Sequence, residues 1–180
     1  MLAKFSKHRL AAVAAWALAG TVLLSTSGGG ALAGEAAAPA GSAQALFAAS
    51  FKDFDRKPQA LAQFKGKPTL VYFWATWCKS CKQEVPELIA LHTKYGSKVN
   101  VVGIAIDNTD KVREFAKQNR INYTLLLGSN DAVALSKQLG NSVGGLPFAV
   151  VVDAKGNIVQ TLLGETPAGR FEALVRPLIG

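Results

Sequence analysis

The segment around the two cysteines constrains the fold more than any other part of the sequence. Residues 69–74, Thr-Leu-Val-Tyr-Phe-Trp, have the β-branched and aromatic composition that predicts a buried strand. Residues 79–95 have the pattern of a helix, which Gly96 ends. Cys78 and Cys81 lie where that strand gives way to that helix. A C-x-x-C pair at such a junction is typical of a redox-active site.

The rest of the chain alternates strands and helices and then ends in a strand pair and a helix. We predict a hairpin arm over residues 47–54, with its turn at 55–58. The further predicted strands are Val99–Ile106, Tyr123–Leu127, Phe148–Val152 and Ile158–Leu163, and the further helices are Thr109–Asn119, Asp131–Leu139 and Pro167–Leu178. Thr166 is the expected N-cap of the last helix. This order predicts an α/β fold, with a mixed central sheet flanked by helices on both faces.

The N-terminal residues have the pattern of an export signal. A basic start at residues 4–9 precedes an apolar run at 10–24 and the sequence Ala-Leu-Ala at 31–33, which together predict a secretory signal peptide. The apolar run is shorter than the about 20 residues of a membrane-spanning helix, so a retained membrane anchor is the alternative. We therefore divide the chain into a cleavable signal peptide at 1–33, a flexible linker at 34–45 and a single domain at 46–180.

The charge of the chain excludes one class of partner. The net charge is +8, of which Lys4, Lys7 and Arg9 of the signal peptide contribute three. The remaining positive charges are scattered, and no dense basic stripe interleaved with aromatic residues is present in the sequence. We therefore expect no binding to nucleic acid.

The sequence offers too few ligands for a metal site. A structural zinc ion needs four ligands, but beyond the signal peptide the cysteine pair is joined only by His92. His92 lies 11 residues beyond Cys81 on the predicted helix, about 16 Å away, which also argues against a Cys–His hydrolase. A copper-binding chaperone that uses Cys78 and Cys81 as soft ligands is a third alternative, but it lacks a third histidine or methionine ligand. We expect neither a metal nor another cofactor.

The position of each cysteine indicates its role. Cys78 precedes the helix, where free backbone N–H groups and the positive end of the helix dipole stabilise a thiolate. Lys79 adds a positive charge beside it. Cys81 lies one turn into the helix, where it is shielded and can resolve a mixed disulfide. Trp77 is expected to line the exposed rim of the site.

Glu84 is a carboxylate in an apolar stripe. At 100° per residue it falls on the same arc of the helix as Cys81, Val85 and Leu88. A buried carboxyl is unfavourable unless it is partnered or protonated. We therefore interpret Glu84 as a proton acceptor for Cys81, with a pKa raised by burial. The alternative is a glutamate that reaches the helix edge and pairs with a lysine.

These motifs together resemble one branch of a known superfamily. Trp77-Cys78-x-x-Cys81, Glu84-x-Pro86 and the later Gly145-Leu146-Pro147 are similar to the TlpA/ResA-like branch of the thioredoxin superfamily, over roughly residues 46–180. The resemblance implies a thioredoxin fold with an N-terminal hairpin and an insertion near residues 121–140. It also implies that Cys78 is the nucleophile, Cys81 the resolving thiol and Glu84 an aid to proton transfer. Leu146 and a cis Pro147 would then face the disulfide and bind an extended substrate peptide.

The chain departs from the patterns of the superfamily at two places, the residue pair between the cysteines and one position in the preceding strand. Lys79-Ser80 stands where the branch often has a proline, which leaves the reduction potential open. Tyr72 occupies the position of a buried acid in cytoplasmic thioredoxins, so Glu84 is a candidate to replace that acid.

The resemblance also implies a function and partners. Such proteins are extracytoplasmic or periplasmic reductases of disulfides in exported proteins, such as cytochrome c or copper-centre maturation partners. A membrane thiol transporter would supply their electrons, and a monomer is expected. A dithiol oxidase that uses the same cysteines is the alternative within the enzyme class, because the direction depends on the reduction potential.

Overall fold

The computed structural model describes residues 43–179, which form seven strands and five helices. The strands are β1 (Ser50–Lys52), β2 (Pro58–Ala60), β3 (Thr69–Trp74), β4 (Asn100–Ile106), β5 (Thr124–Gly128), β6 (Phe148–Val152) and β7 (Ile158–Leu163). The helices are α1 (Gln44–Ala48), α2 (Lys79–Tyr95), α3 (Thr109–Gln118), α4 (Asn130–Gln138) and α5 (Arg170–Val175), with 3₁₀ turns at Leu61–Phe64 and Arg176–Leu178.

All seven strands belong to one mixed sheet in the order β2-β1-β5-β4-β3-β6-β7. The pairs β3–β4 and β4–β5 are parallel, and the other pairs are antiparallel. Strand β3 lies inside the sheet between β4 and β6, and each of its six residues is buried. The predicted mixed α/β sheet with an N-terminal hairpin is therefore confirmed.

The alternation of side chains along β3 creates two cores. Leu70, Tyr72 and Trp74 point to the face covered by α2, α3 and α5, and this core also contains both cysteines. Val71 and Phe73 point to the opposite face, which α1 and α4 cover. Because both faces are covered, β3 has the continuous apolar sequence of a doubly buried strand.

The N-terminal boundary differs from the prediction. Ala43 is fully buried, and its backbone N–H donates to the carbonyl of Gly156 at 2.9 Å. Phe47, expected in a strand, lies in α1 and packs with Leu46 in the second core. Residues 43–45 are therefore part of the fold rather than of the linker. The β1–β2 hairpin itself is confirmed.

The last helix also begins later than predicted. Helix α5 starts at Arg170, after Gly169, whose φ of 80° is the left-handed conformation that glycine adopts readily. Thr166 is not its N-cap, because the helix begins four residues later and Gly169 occupies the N-cap position. The backbone N–H of Thr166 donates to Glu84. Residues 164–169 consequently form a loop against α2.

Two further predictions concern the insertion near residues 121–140 and the N-terminal segments of the chain. The segment 121–140 forms β5 and α4, so it adds a strand and a helix between α3 and β6. The predicted signal peptide and most of the linker lie outside the described residues. Within 43–179, none of the helices has the length and apolar character needed to cross a bilayer.

A candidate redox-active site

Cys78 and Cys81 form a disulfide with their Cα atoms 5.3 Å apart. Cys78 is the N-cap of α2, and its Sγ accepts the backbone N–H of Cys81 at 3.2 Å. Ser80 places its hydroxyl oxygen 3.6 Å from the same sulfur. Cys81 is completely buried, whereas 7% of Cys78 is exposed. Cys78 is therefore the more exposed of the two cysteines.

The loop that leads into Cys78 is held by Asp107, which follows β4. The backbone N–H of Thr76 donates to Oδ2 of Asp107 at 2.9 Å, and the Thr76 hydroxyl donates to the same oxygen. Partial burial favours the neutral acid, but hydrogen bonds from Thr76 and Asn108 outweigh it and hold the pKa of Asp107 below its usual value. Asp107 was not among the residues predicted for the site. The sequence feature that could have indicated Asp107 is its position as a polar residue at the carboxyl end of β4, the strand next to β3.

Glu84 is buried, with 4% of its surface exposed, and both of its oxygens have donors. The Tyr72 hydroxyl donates to Oε2 at 2.7 Å, and the backbone N–H of Thr166 donates to Oε1 at 2.5 Å. Burial raises the pKa of Glu84 above its usual value, while the hydrogen bonds from Tyr72 and Thr166 act in the opposite direction. The carboxyl is thus held in the interior and does not reach the helix edge to pair with a lysine.

Tyr72 links this carboxyl to the first turn of α2. Its hydroxyl oxygen also lies 3.2 Å from the carbonyl oxygen of Cys81. Burial, followed by the contact with Glu84, raises the pKa of Tyr72, so its hydroxyl remains protonated and acts as a donor. The position of the buried acid in cytoplasmic thioredoxins is therefore occupied here by a hydrogen-bond donor to Glu84.

An open cavity gives Glu84 access to solvent. Its volume is about 390 Å³, and it lies between the first half of α2 and the loop after β7. The residues that line it are Gln83, Glu84, Pro86, Glu87, Glu165, Thr166 and Ala168. The cavity therefore brings solvent close to the part of α2 that carries Glu84.

The loop before β6 is braced by Asn141. This fully buried side chain donates from Nδ2 to the carbonyl of Gly145 at 2.9 Å, and its Oδ1 accepts the Gly145 N–H at 3.1 Å. The Leu146–Pro147 bond is cis, as expected. Leu146 packs against the core that contains Cys78 and Cys81. Asn141 was not among the residues predicted for the site.

Apolar side chains are exposed around the loop and the cysteine pair. Trp77, Val143 and Leu163 have 68%, 75% and 50% of their surfaces exposed. A Cβ placed on Gly145 would lie 3.3 Å from Leu163 and 3.6 Å from Val143, so these two side chains flank one short stretch of backbone. We call Val143, Leu146 and Leu163 the apolar rim. Of these, the sequence indicated only Leu146.

Other potential ligands lie elsewhere. His92 is in the last turn of α2, at the opposite end of the helix from Cys78. Over residues 43–179, no group of three or more His, Cys, Asp or Glu side chains is arranged to hold a metal ion.

Comparisons with known proteins agree with this geometry. Residues 38–161 match the AhpC/TSA family. The chain is 30% identical over 129 residues to the thiol-disulfide oxidoreductase ResA of Bacillus cereus, covering 70% of this chain and 72% of that protein. It is 31% identical over 119 residues to the thioredoxin-like protein YneN of Bacillus subtilis, covering 64% and 67%.

Solved structures show the same fold. A thiol:disulfide interchange protein of the thioredoxin family from Chlorobium tepidum superposes with a TM-score of 0.67 and 27% sequence identity, covering 82% of this chain and all of that one. A thioredoxin-related protein from Neisseria meningitidis is 33% identical with a TM-score of 0.63, covering 71% and 97%. The predicted thioredoxin fold is therefore confirmed.

Proposed function

This chain belongs to the AhpC/TSA family and is a thiol–disulfide oxidoreductase of the ResA type, and we propose that it reduces disulfides of exported proteins outside the cytoplasm. The reacting groups are Cys78 and Cys81, and Glu84 transfers the proton of Cys81. The observation that carries the proposal is the buried carboxyl of Glu84, one helical turn from Cys81.

The first step is attack on the substrate. The Cys78 thiolate forms a bond to one sulfur of the substrate disulfide, the substrate S–S bond breaks, and the second substrate sulfur leaves as a thiolate that takes a proton from water. The accessible position of Cys78 and the backbone N–H of Cys81 aimed at its sulfur support this role.

The second step resolves the mixed disulfide. The Cys81 thiol gives its proton to the Glu84 carboxylate, and its sulfur attacks Sγ of Cys78. The Cys78–Cys81 bond forms, the bond to the substrate breaks, and the substrate sulfur that was bound to Cys78 leaves as a thiolate that takes a proton from water. Two electrons have then passed to the substrate. The proton on Glu84 reaches solvent through the adjacent cavity.

The same carboxyl favours reduction over oxidation. Strongly oxidising relatives of this fold gain their potential because their reduced form, which carries a thiolate, is stabilised. When Glu84 is ionised, its negative charge and that of a cysteine thiolate repel each other. This repulsion destabilises the reduced form of the protein. A less stable reduced form gives its electrons away more readily.

The surroundings of Cys78 suit a protein substrate. Trp77, which directly precedes Cys78, and the apolar rim around the loop before β6 offer exposed hydrophobic contacts. A folded protein covers its apolar side chains, whereas an extended segment around a cysteine exposes them. Unfolded exported chains, such as those in cytochrome c or copper-centre maturation, fit these contacts.

The N-terminal pattern supports action outside the cytoplasm. Residues 1–33 have the basic, apolar and Ala-Leu-Ala sections of a secretory signal. After each cycle the Cys78–Cys81 disulfide needs two electrons, for which a membrane thiol transporter is the proposed donor.

The reduction potential tests the proposal. The protein is equilibrated with thiol–disulfide buffers and the fraction of oxidised Cys78–Cys81 is measured. A reductase should have a potential close to that of thioredoxin, about −270 mV. A value near about −120 mV, typical of a strong oxidant, would instead establish the dithiol oxidase. Stoichiometric Cu(I) binding without insulin reduction would support the copper chaperone.

A further inference from the structure

The two oxygens of Glu84 are held by donors from different parts of the fold. Oε2 accepts a hydrogen bond from the Tyr72 hydroxyl in β3, and Oε1 accepts one from the Thr166 N–H in the loop after β7. We propose that Tyr72 is a positioning residue that orients the Glu84 carboxyl toward its proton-transfer role and sets the pH at which that carboxyl ionises. This deepens the proposed function and rests on it for its catalytic consequence.

The ring of Tyr72 has little freedom to move. It is completely buried in β3, and its neighbours on the adjacent strands are the small residues Gly103 and Ala149. The Phe171 ring packs edge-on against it, with the ring centroids 6.0 Å apart. Because the ring is fixed by its packing, the position of its hydroxyl is fixed as well. The hydroxyl can therefore hold the Glu84 carboxyl in one orientation.

The residue whose ring packs on Tyr72 is hydrogen-bonded through its backbone to the helix that carries Glu84. The backbone N–H of Phe171 donates to Oε1 of Glu87 at 3.0 Å, which joins the start of α5 to α2. Tyr72 also contacts the carbonyl oxygen of Cys81. Its hydroxyl therefore lies between the resolving cysteine and the carboxyl that serves it.

The charged surroundings give the hydroxyl a defined electrostatic effect. On α2, Cys81 and Glu87 neighbour Glu84, the loop after β7 contributes Glu165 to the shared cavity, and Arg170 opens α5 beyond that loop. Glu87 disfavours ionisation of Glu84, as burial does more strongly. The Tyr72 hydroxyl opposes both effects because a donor stabilises the carboxylate more than the neutral acid. Without it, Glu84 should stay protonated to higher pH.

The protonation state decides when Glu84 can accept a proton from Cys81. In the wild type the carboxylate becomes available as the pH rises through the pKa of Glu84. If that pKa is higher in Tyr72→Phe, resolution should become fast only at higher pH. The rate reached at high pH should change little, since the carboxylate is then present in both proteins.

The direct test measures the protonation of Glu84 by NMR. The full chain is labelled with ¹³C at the glutamate carboxyls, and Glu84→Gln assigns the resonance. Tyr72→Phe should raise the apparent pKa of Glu84 by about one unit, the shift equivalent to a hydrogen bond to a charged group. An unchanged titration in Tyr72→Phe would overturn the proposal.

Tyr123→Phe is the matched control. Tyr123 is also a buried tyrosine, but over residues 43–179 its hydroxyl makes no hydrogen bond. Its loss should leave the Glu84 titration in place. An equal shift in both variants would show a general effect of losing a core hydroxyl, and would also overturn the proposal.

A second measurement keeps the ring and its packing. Fluorotyrosine is a stronger hydrogen-bond donor than tyrosine, so in a Tyr95→Phe, Tyr123→Phe background it should lower the apparent pKa of Glu84. A shift in the other direction would contradict the assignment even if Tyr72→Phe fails to fold.

The catalytic consequence is measured separately. The pH profile of resolution should move to higher pH in Tyr72→Phe and stay in place in Tyr123→Phe. If the NMR titration moves but the profile does not, Tyr72 positions Glu84 while the proposed role of Glu84 in proton transfer is wrong. The two failures are thus distinguishable.

Discussion

The backbone N–H of Thr166 donates to Oε1 of Glu84 at a distance of 2.5 Å, and this hydrogen bond joins residues that are 82 positions apart in the chain. This bond ties the loop after β7 to the helix that begins at the cysteine pair. It satisfies a buried carboxyl oxygen that would otherwise be costly.

Cys81→Ala should accumulate a mixed disulfide between Cys78 and a substrate protein. Removal of the resolving thiol leaves the first step possible and blocks the second. Cys78→Ala should form no such adduct and should lose activity by several orders of magnitude. Mass spectrometry of trapped species locates the bond. An adduct through Cys81 in Cys78→Ala, with none in Cys81→Ala, would exchange the two roles.

Glu84→Gln should change how stability depends on pH. Because burial raises the pKa of Glu84 in the fold above its usual 4.5, its contribution to stability is present below that value and is lost as the pH rises through the folded-state pKa. The variant lacks this dependence. The free energy of unfolding, measured by denaturant between about pH 4 and 8, should therefore shift in favour of the variant as the pH rises. A constant difference would show that Glu84 ionises normally.

Asp107→Ala should loosen the loop that precedes Cys78. The variant loses the acceptor of two hydrogen bonds from Thr76, which predicts a loss of about 1–3 kcal/mol in the free energy of unfolding and a slower reaction of Cys78. Since the pKa of Asp107 is lowered, this stabilisation is present above its usual value of 3.8 and is lost as the pH falls through the lower folded-state value.

Asp55→Ala is the control for Asp107. Asp55 is an exposed acid in the turn between β1 and β2, and its replacement removes the same charge. The free energy of unfolding of Asp55→Ala and the reaction rate of its Cys78 should stay close to the wild-type values. Equal losses in the two variants would mean that net charge, rather than the loop, is responsible.

Trp77→Ala should weaken the reaction with protein substrates more than the reaction with a small disulfide. Trp77 is 68% exposed beside Cys78, so it can contact a large partner without supporting the core. A buried aromatic contact at an interface is worth about 2 kcal/mol, which predicts a KM for protein substrates about 30 times higher.

Val159→Ala, which truncates another exposed apolar side chain, is the control for Trp77→Ala. Val159 is 40% exposed near the start of β7, whereas the apolar rim includes the last residue of that strand, Leu163. Val159→Ala should leave the reactions with protein substrates and with the small disulfide unchanged. An equal loss of rate on the small disulfide in Trp77→Ala would mean that Trp77 acts on the cysteines rather than on the substrate.

Local sequence patterns were sufficient for the catalytic segment. The bounds of β3, α2, β6 and β7 agree with the structure, because each has a strong periodic or apolar pattern with a clear stop. The burial of Glu84 followed from its place on the helical arc of Cys81. The position of α1 was missed, because its five residues are stabilised by tertiary contacts of Leu46 and Phe47.

The sequence by itself determined the strand, the helix and the cysteine pair at their junction, since these depend on neighbours within about two turns of helix or one strand. Only the tertiary structure decided what surrounds the pair. Asp107 reaches Thr76 across 31 residues, and Thr166 reaches Glu84 across 82, through the pairing of parallel strands and the return of the chain after β7. No local pattern encodes such contacts, because backbone donors and polar side chains acquire partners only when the sheet brings distant loops to one end.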